Sequence, residues 1–212
     1  MVEGKFITLE GAEGAGKSTQ LQRLGDALNR AGVDVVRTRE PGGSPAAEEI
    51  RTMLVSGETQ RWVPETELLL HIAARVEHVA SIVKPALAGG SWVVCDRFHD
   101  STVAYQGHGH KLGTDMIDQL HQLLFGAFQP DLTLIFDLPV DMGLKRTQHR
   151  GGGEDRYERM EMEFHERLRH GFLEIADRHL DRCAVIDAAK DEDDVYQDVI
   201  ACVNASFSLA LD

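Results

Sequence analysis

Short apolar runs in this chain alternate with longer segments in which apolar residues recur every three or four positions. The runs Phe6–Glu10, Val33–Thr38, Trp92–Asp96, Leu132–Asp137 and Ala184–Asp187 predict strands. Their near-continuous apolar character is that of strands covered on both faces. Helical spacing predicts helices at about Lys17–Ala31, Pro45–Val55, Pro64–Ala88, Thr114–Phe125, Val140–His149, Arg156–His179 and Asp191–Ser206. The alternation indicates an α/β fold with a parallel sheet. Ligand groups gather outside the carboxyl ends of such strands. Gly11, Arg39, Asp96 and Asp137 fall at or just after strand ends, so one rim collects them.

A length of 212 residues suits a single domain, 1–212, with a small mobile insertion. Apolar residues at 42% and charged ones at 27% are ordinary for a soluble globular protein. The formal net charge of −13 argues against a nucleic-acid partner, since no broad basic face can form. An anionic substrate then has to be held by a few clustered Arg and Lys residues. Cys95, Cys183 and Cys202 lack metal-like spacing and read as small buried apolar groups in a reducing compartment. No secretory-type segment opens the chain and no apolar run approaches membrane-spanning length, so cytoplasmic residence without a membrane partner is expected.

The sharpest chemical signal is Gly11-Ala12-Glu13-Gly14-Ala15-Gly16-Lys17-Ser18-Thr19, placed between the first strand and the first helix. A Gly-x4-Gly-Lys-Ser loop in that setting wraps phosphates with main-chain N–H groups at a helix N-terminus. Lys17 is expected to reach the β- and γ-phosphates, and Ser18 to offer its hydroxyl to Mg²⁺.

Other candidates surround the same rim. After the second strand, Arg39 precedes Glu40-Pro41-Gly42-Gly43 and aims at a place for a second phosphate; an exposed Arg39–Glu40 pair is the alternative. Asp96 ends the third strand and suits Mg²⁺ held through water, while Arg97 beside it suits a phosphate clamp. Asp137 is the competing metal candidate and reads as structural. His71 and Arg75, four apart in a helix, face the same way. The fragment Ser101-Thr102-Val103-Ala104-Tyr105-Gln106-Gly107 suits reading a base edge and excluding a sugar hydroxyl, or equally a helix cap with a buried tyrosine. Gly107–Gly113 and His149–Arg156 read as mobile loops; the second, with arginines on both sides of three glycines, has the make-up of a lid over phosphates at about 147–158.

These motifs, together with Asp155-Arg156-Tyr157-Glu158, occur in an order and spacing that resembles the bacterial thymidylate kinases over Phe6 to about Ala188. The resemblance implies a phosphate-loop nucleoside monophosphate kinase fold, with five parallel strands in order 2-3-1-4-5 flanked by helices. It implies transfer of the γ-phosphoryl of ATP to dTMP with Mg²⁺, in a homodimer. By position, the phosphate loop and Arg146, over adenine, would hold ATP. Glu13, Arg39, His71, Arg75, Arg97, Ser101, Thr102, Tyr105 and Gln106 would surround dTMP, with Glu13 near the 3′-hydroxyl, Arg75 on a thymine carbonyl and Tyr105 where a ribose 2′-hydroxyl would lie. Because Gly14 follows Glu13, the resemblance places the transition-state arginine in the lid, at Arg156 or Arg150, alongside Lys17 and Arg97. The family usually has Phe where this chain has His71. Another pyrimidine monophosphate kinase acting on UMP or dUMP is the neighbouring reading, and a nucleotide-operated switch, for which the chain lacks an Asn-Lys-x-Asp pattern, the distant one.

Overall fold

The computed structural model describes residues 4–147 and 155–212. Five strands form one parallel sheet in the order β2-β3-β1-β4-β5: β1 (Phe6–Gly11), β2 (Val35–Arg39), β3 (Trp92–Asp96), β4 (Leu132–Asp137) and β5 (Cys183–Asp187). The three inner strands are apolar and buried along almost their whole length, as strands sandwiched by helices must be. The edge strands β2 and β5 are only partly covered, which corrects the expectation that all five are enclosed on both faces.

One face of the sheet packs on α1 (Lys17–Arg30) and α9 (Glu192–Phe207) through Leu24, Leu28, Val199 and Val203. The other carries α8 (Met162–Arg178) and α3 (Pro64–His78), with Leu68, Ile72, Leu168 and Phe172 in its core. Helix α3 continues through a π-helical turn (Val79–Val83) into α4 (Lys84–Ala88), so the predicted Pro64–Ala88 helix is one rod with an internal irregularity. The remaining helices are α2 (Pro45–Val55), α5 (His99–Thr102), α6 (Asp115–Phe125) and α7 (Val140–Thr147).

Register places the chemistry. Leu9 pairs with Asp96, Arg39 with Asp96, Gly11 with Phe136 and Asp137 with Asp187, so the strand ends stop level and their following residues share one rim. Strand order reverses about β1, which puts the loop after it at the position where open α/β sheets bind ligands.

Two loop expectations change. Gly107–Gly109, expected to open a mobile loop, instead end a π-helix (Val103–Gly109), and its glycines serve close packing: a Cβ on Gly109 would lie 2.6 Å from the Phe164 ring. The predicted Arg156–His179 helix starts only at Met162, because Arg156 turns inward and its N–H bonds to the Val55 carbonyl at 3.4 Å. Most of the expected lid, including Arg150 and His149, lies outside the described residues.

Candidate active site

The phosphate loop needs its glycines for two different reasons. Gly16 caps α1 with φ +84°, a left-handed conformation that a Cβ disfavours. Gly14, also at positive φ, passes so close to α7 that a Cβ would sit 2.3 Å from the Gly143 carbonyl oxygen. Lys17 curls back over the loop and donates to the carbonyls of Gly11 (2.9 Å) and Ala12 (2.8 Å). Burial, aided by the nearby Arg97 charge, lowers its ammonium to about 8 against the opposing pull of Asp96 and Glu13. Arg146 donates to the Ala188 carbonyl at 3.1 Å and approaches that of Gly14 at 3.4 Å, which sets it beside the loop.

That lowered value carries a pH prediction. Above pH of about 8 the free protein holds Lys17 neutral, and an incoming triphosphate raises its pKa, so binding must draw in a proton. ATP affinity is expected to weaken as pH rises from 8 towards 10. Calorimetry at pH 9 in buffers of different ionisation heat should show uptake of about one proton. Binding heats that do not vary with buffer would contradict the assignment.

Ser18 Oγ donates to Asp96 Oδ2 at 2.9 Å, and Asp96 Oδ1 is buried without a hydrogen-bond partner. A hydroxyl and a carboxylate with a vacant oxygen, beside a loop built for phosphates, fit Mg²⁺, which needs one or two protein oxygens and takes the rest from water and phosphate. Among the described residues no cluster of three His, Cys, Asp or Glu side chains is suited to hold a metal. Asp137, the competing metal candidate, is gripped by Arg169 with two hydrogen bonds of 2.7 and 2.9 Å.

Arg97 adopts φ +73°, an uncommon backbone state for a residue with a Cβ. The buried carboxylate of Glu10 holds it there by accepting the next N–H, that of Phe98, at 2.7 Å, and the hydroxyl of Ser101. Burial and the neighbouring Asp100 charge raise Glu10 to about 7. The Arg97 guanidinium then donates to Gly11 O (2.9 Å), Ser101 Oγ (3.2 Å) and Glu13 Oε1 (3.2 Å), and stacks 4.9 Å from the Tyr105 ring centre. Tyr105 donates its phenol to the same Glu13 oxygen. Burial works against the Glu13 charge, but Arg97 and Lys17 bring its pKa below the ordinary value.

Arg75 is 2% exposed and locked on one side: Nε to Glu40 Oε2 (2.6 Å), Nη2 to the Phe98 carbonyl (2.9 Å) and to Thr102 Oγ1 (2.8 Å). Its Nη1 is buried and has no partner. Glu40 is shared with His78, 2.8 Å away. Thus Glu40 is the buried counter-ion of Arg75 rather than an exposed partner of Arg39, and Thr102 backs Arg75 from behind without lining the cleft. Gln106 gives its amide N–H to Glu67 at 2.8 Å, leaving Oε1 buried and unpartnered. His71 Nε2 lies 2.9 Å from the Tyr157 hydroxyl, and burial lowers its imidazole to about 4, so it is neutral at pH 7.

One cleft joins these groups: the phosphate loop, Asp96 and Arg97 line it together with Ser101, Tyr105, Gln106, His71, Arg75 and Tyr157. Arg39 stays outside, 53% exposed and paired with Glu48 at 3.1 Å. Arg51, which the sequence did not single out, lines the cleft instead and donates to the Pro41 carbonyl at 2.8 Å. Arg156 is not brought to the phosphate loop. Its guanidinium is fully buried against the carbonyls of Leu54, Glu58 and Thr59 and against Glu67. Glu10 and Glu67 went unread and Glu40 was read only beside Arg39, because a carboxylate in the sequence gives no sign of which distant cation covers it.

A five-stranded parallel sheet in order 2-3-1-4-5, with a phosphate loop after its middle strand and an arginine-lined cleft above, is a phosphate-loop nucleoside monophosphate kinase fold. The thymidylate kinase family profile matches residues 9–199. The chain is 54% identical over 195 residues to a thymidylate kinase of Caulobacter vibrioides, covering 92% of this chain and 93% of that protein. To one of Dinoroseobacter shibae it is 49% identical over 198 residues, covering 93% and 95%. The solved thymidylate kinase of Ehrlichia chaffeensis superposes with a TM-score of 0.77 at 38% identity, covering 95% of this chain and 99% of that one. The chain belongs to the thymidylate kinase family.

Proposed function

We propose that this protein transfers the γ-phosphoryl group of ATP to dTMP, yielding dTDP and ADP. A phosphate oxygen of dTMP attacks the γ-phosphorus as the bond to the β–γ bridging oxygen breaks. The attacking oxygen is already anionic, so the protein needs no general base; it has to align the two phosphates and offset charge with Lys17 and Arg97. Mg²⁺ near Ser18 and Asp96 supplies further charge neutralisation when bound. ATP lies on the phosphate loop with adenine towards Arg146, and dTMP lies towards Arg75.

One observation carries the reading. Within the cleft that holds Lys17 and Ser18, Arg75 Nη1 is a buried donor and Gln106 Oε1 a buried acceptor, both without partners. A thymine ring offers a carbonyl and an adjacent N–H that satisfy both, and buried polar groups are rarely left unpaired. Glu13 and Tyr105 stand by the sugar, and Arg97 and Arg51 by the acceptor phosphate. ADP release measured over a panel of nucleoside monophosphates should show dTMP preferred; turnover no faster with dTMP than with ATP alone would overturn the proposal.

His71 occupies a wall where a larger apolar ring would cover more of the base. His71→Phe is expected to lower the Michaelis constant for dTMP about two- to fivefold; an unchanged or higher constant in steady-state assays would remove the stacking role. We also propose a homodimer through α3 and α6, whose Leu69, Leu123 and Leu124 are 57%, 79% and 47% exposed. Light scattering at micromolar concentration should give twice the monomer mass, and a monomer would contradict it. No helix among the described residues is long and apolar enough to cross a membrane, and we propose action in the cytoplasm.

A further inference from the structure

Glu67 sits in the first turn of α3 with no exposed surface, and its carboxylate collects groups from stretches far apart in sequence. Oε1 accepts from Gln106 Nε2 at 2.8 Å and from the Tyr157 hydroxyl at 2.9 Å, and His110 Nε2 stands 3.0 Å from it. Oε2 faces Arg156 Nη2 at 2.5 Å, and Arg156 is itself fixed by the carbonyls of Leu54, Glu58 and Thr59. The carboxylate therefore has neither room nor freedom to turn away.

A primary amide such as that of Gln106 has two faces, one that donates and one that accepts, and only its surroundings decide which way it points. A carboxylate can only accept. Beside Glu67, Gln106 must turn its NH₂ to the carboxylate, and its carbonyl oxygen is then left buried in the lining of the cleft with no partner. We propose that Glu67 is a positioning residue for base specificity: by fixing the Gln106 amide it presents an acceptor to the bound base and so selects pyrimidines that carry a hydrogen on N3. Thymine has that N–H. Cytosine has a lone pair there, which would meet the Gln106 oxygen head-on and leave two acceptors opposed.

The proposal rests on dTMP lying in this cleft, but its test uses binding alone and does not depend on transfer. Dissociation constants for dTMP and dCMP are measured by calorimetry without ATP, for wild-type protein and for Glu67→Gln. The glutamine keeps the shape but offers an NH₂ of its own, so that either orientation of Gln106 is satisfied. Wild-type protein should favour dTMP over dCMP by about 100-fold, and Glu67→Gln should reduce that ratio about tenfold or more, through weaker dTMP and stronger dCMP binding. A merely structural role would weaken both ligands equally and leave the ratio alone, and that result overturns the proposal, as does a wild-type ratio near one. If Glu67→Gln does not fold, Gln106→Leu decides: the ratio should again collapse about tenfold or more, and a preserved ratio removes Gln106 and Glu67 from base selection.

Discussion

Replacing Lys17 with alanine is expected to lower kcat by about 10³-fold or more while the protein stays folded. The expected loss is electrostatic in origin. Phosphoryl transfer spreads negative charge over the γ-phosphoryl oxygens, and a cation already fixed beside them needs no reorganisation at the moment of reaction. Lys17 is fixed: its Nζ is held by two loop carbonyls in a site from which water is largely excluded. The same burial makes its charge costly to the resting protein, as its lowered pKa records. Removing it takes away an unfavourable buried charge and leaves two carbonyls without a donor, two effects of opposite sign, so the melting temperature should move by only a few degrees. Single-turnover measurements under saturating ATP and dTMP would check the rate, and a kcat within tenfold of wild type would remove Lys17 from the chemical step.

Arg75→Ala should reduce kcat/KM for dTMP on the order of 10²-fold, with the KM for ATP little changed. The guanidinium is held through Nε by Glu40 and through Nη2 by Phe98 and Thr102, so its unpartnered Nη1 would meet the proposed ligand without any loss of side-chain freedom. The variant has a second cost. Glu40 is 4% exposed and keeps only His78 as a partner, and a buried carboxylate stripped of its arginine destabilises by about 3–5 kcal/mol. Arg75→Ala,Glu40→Gln should recover much of that stability and little of the dTMP affinity. Recovery of both together would mean that Arg75 acts only by supporting the fold.

What the sequence disclosed, and what it hid, follows from how local each determinant is. The phosphate loop was legible because every part of its chemistry lies within nine consecutive residues, and the inner strands because burial on both faces leaves a largely apolar run. Asp96 and Arg97 were legible from their place at a strand end. The places of Arg39 and Arg51 were not, because they depend on contacts made in the fold: Arg39 pairs with Glu48 and Arg51 bonds the Pro41 carbonyl. The π-helix at Val103–Gly109 was hidden because glycines read as flexibility in a sequence, whereas Gly109 is required by the ring of Phe164. The resemblance placed Arg156, after three glycines, among the lid arginines; what holds it are carbonyls some 100 residues earlier, which no local pattern announces. Glu67 is the same case from the other side, a carboxylate whose partners at 106, 110, 156 and 157 meet only in the folded chain.

The proposed reaction requires two nucleotides to share one cleft, with the terminal phosphoryl group passing between them. Incubation of the protein with Mg²⁺, dTMP and ATP labelled on its γ-phosphorus measures that passage directly. The label should appear in dTDP in step with ADP, and scarcely in inorganic phosphate. Label released as inorganic phosphate at the same rate with and without dTMP, and none in dTDP, would contradict it.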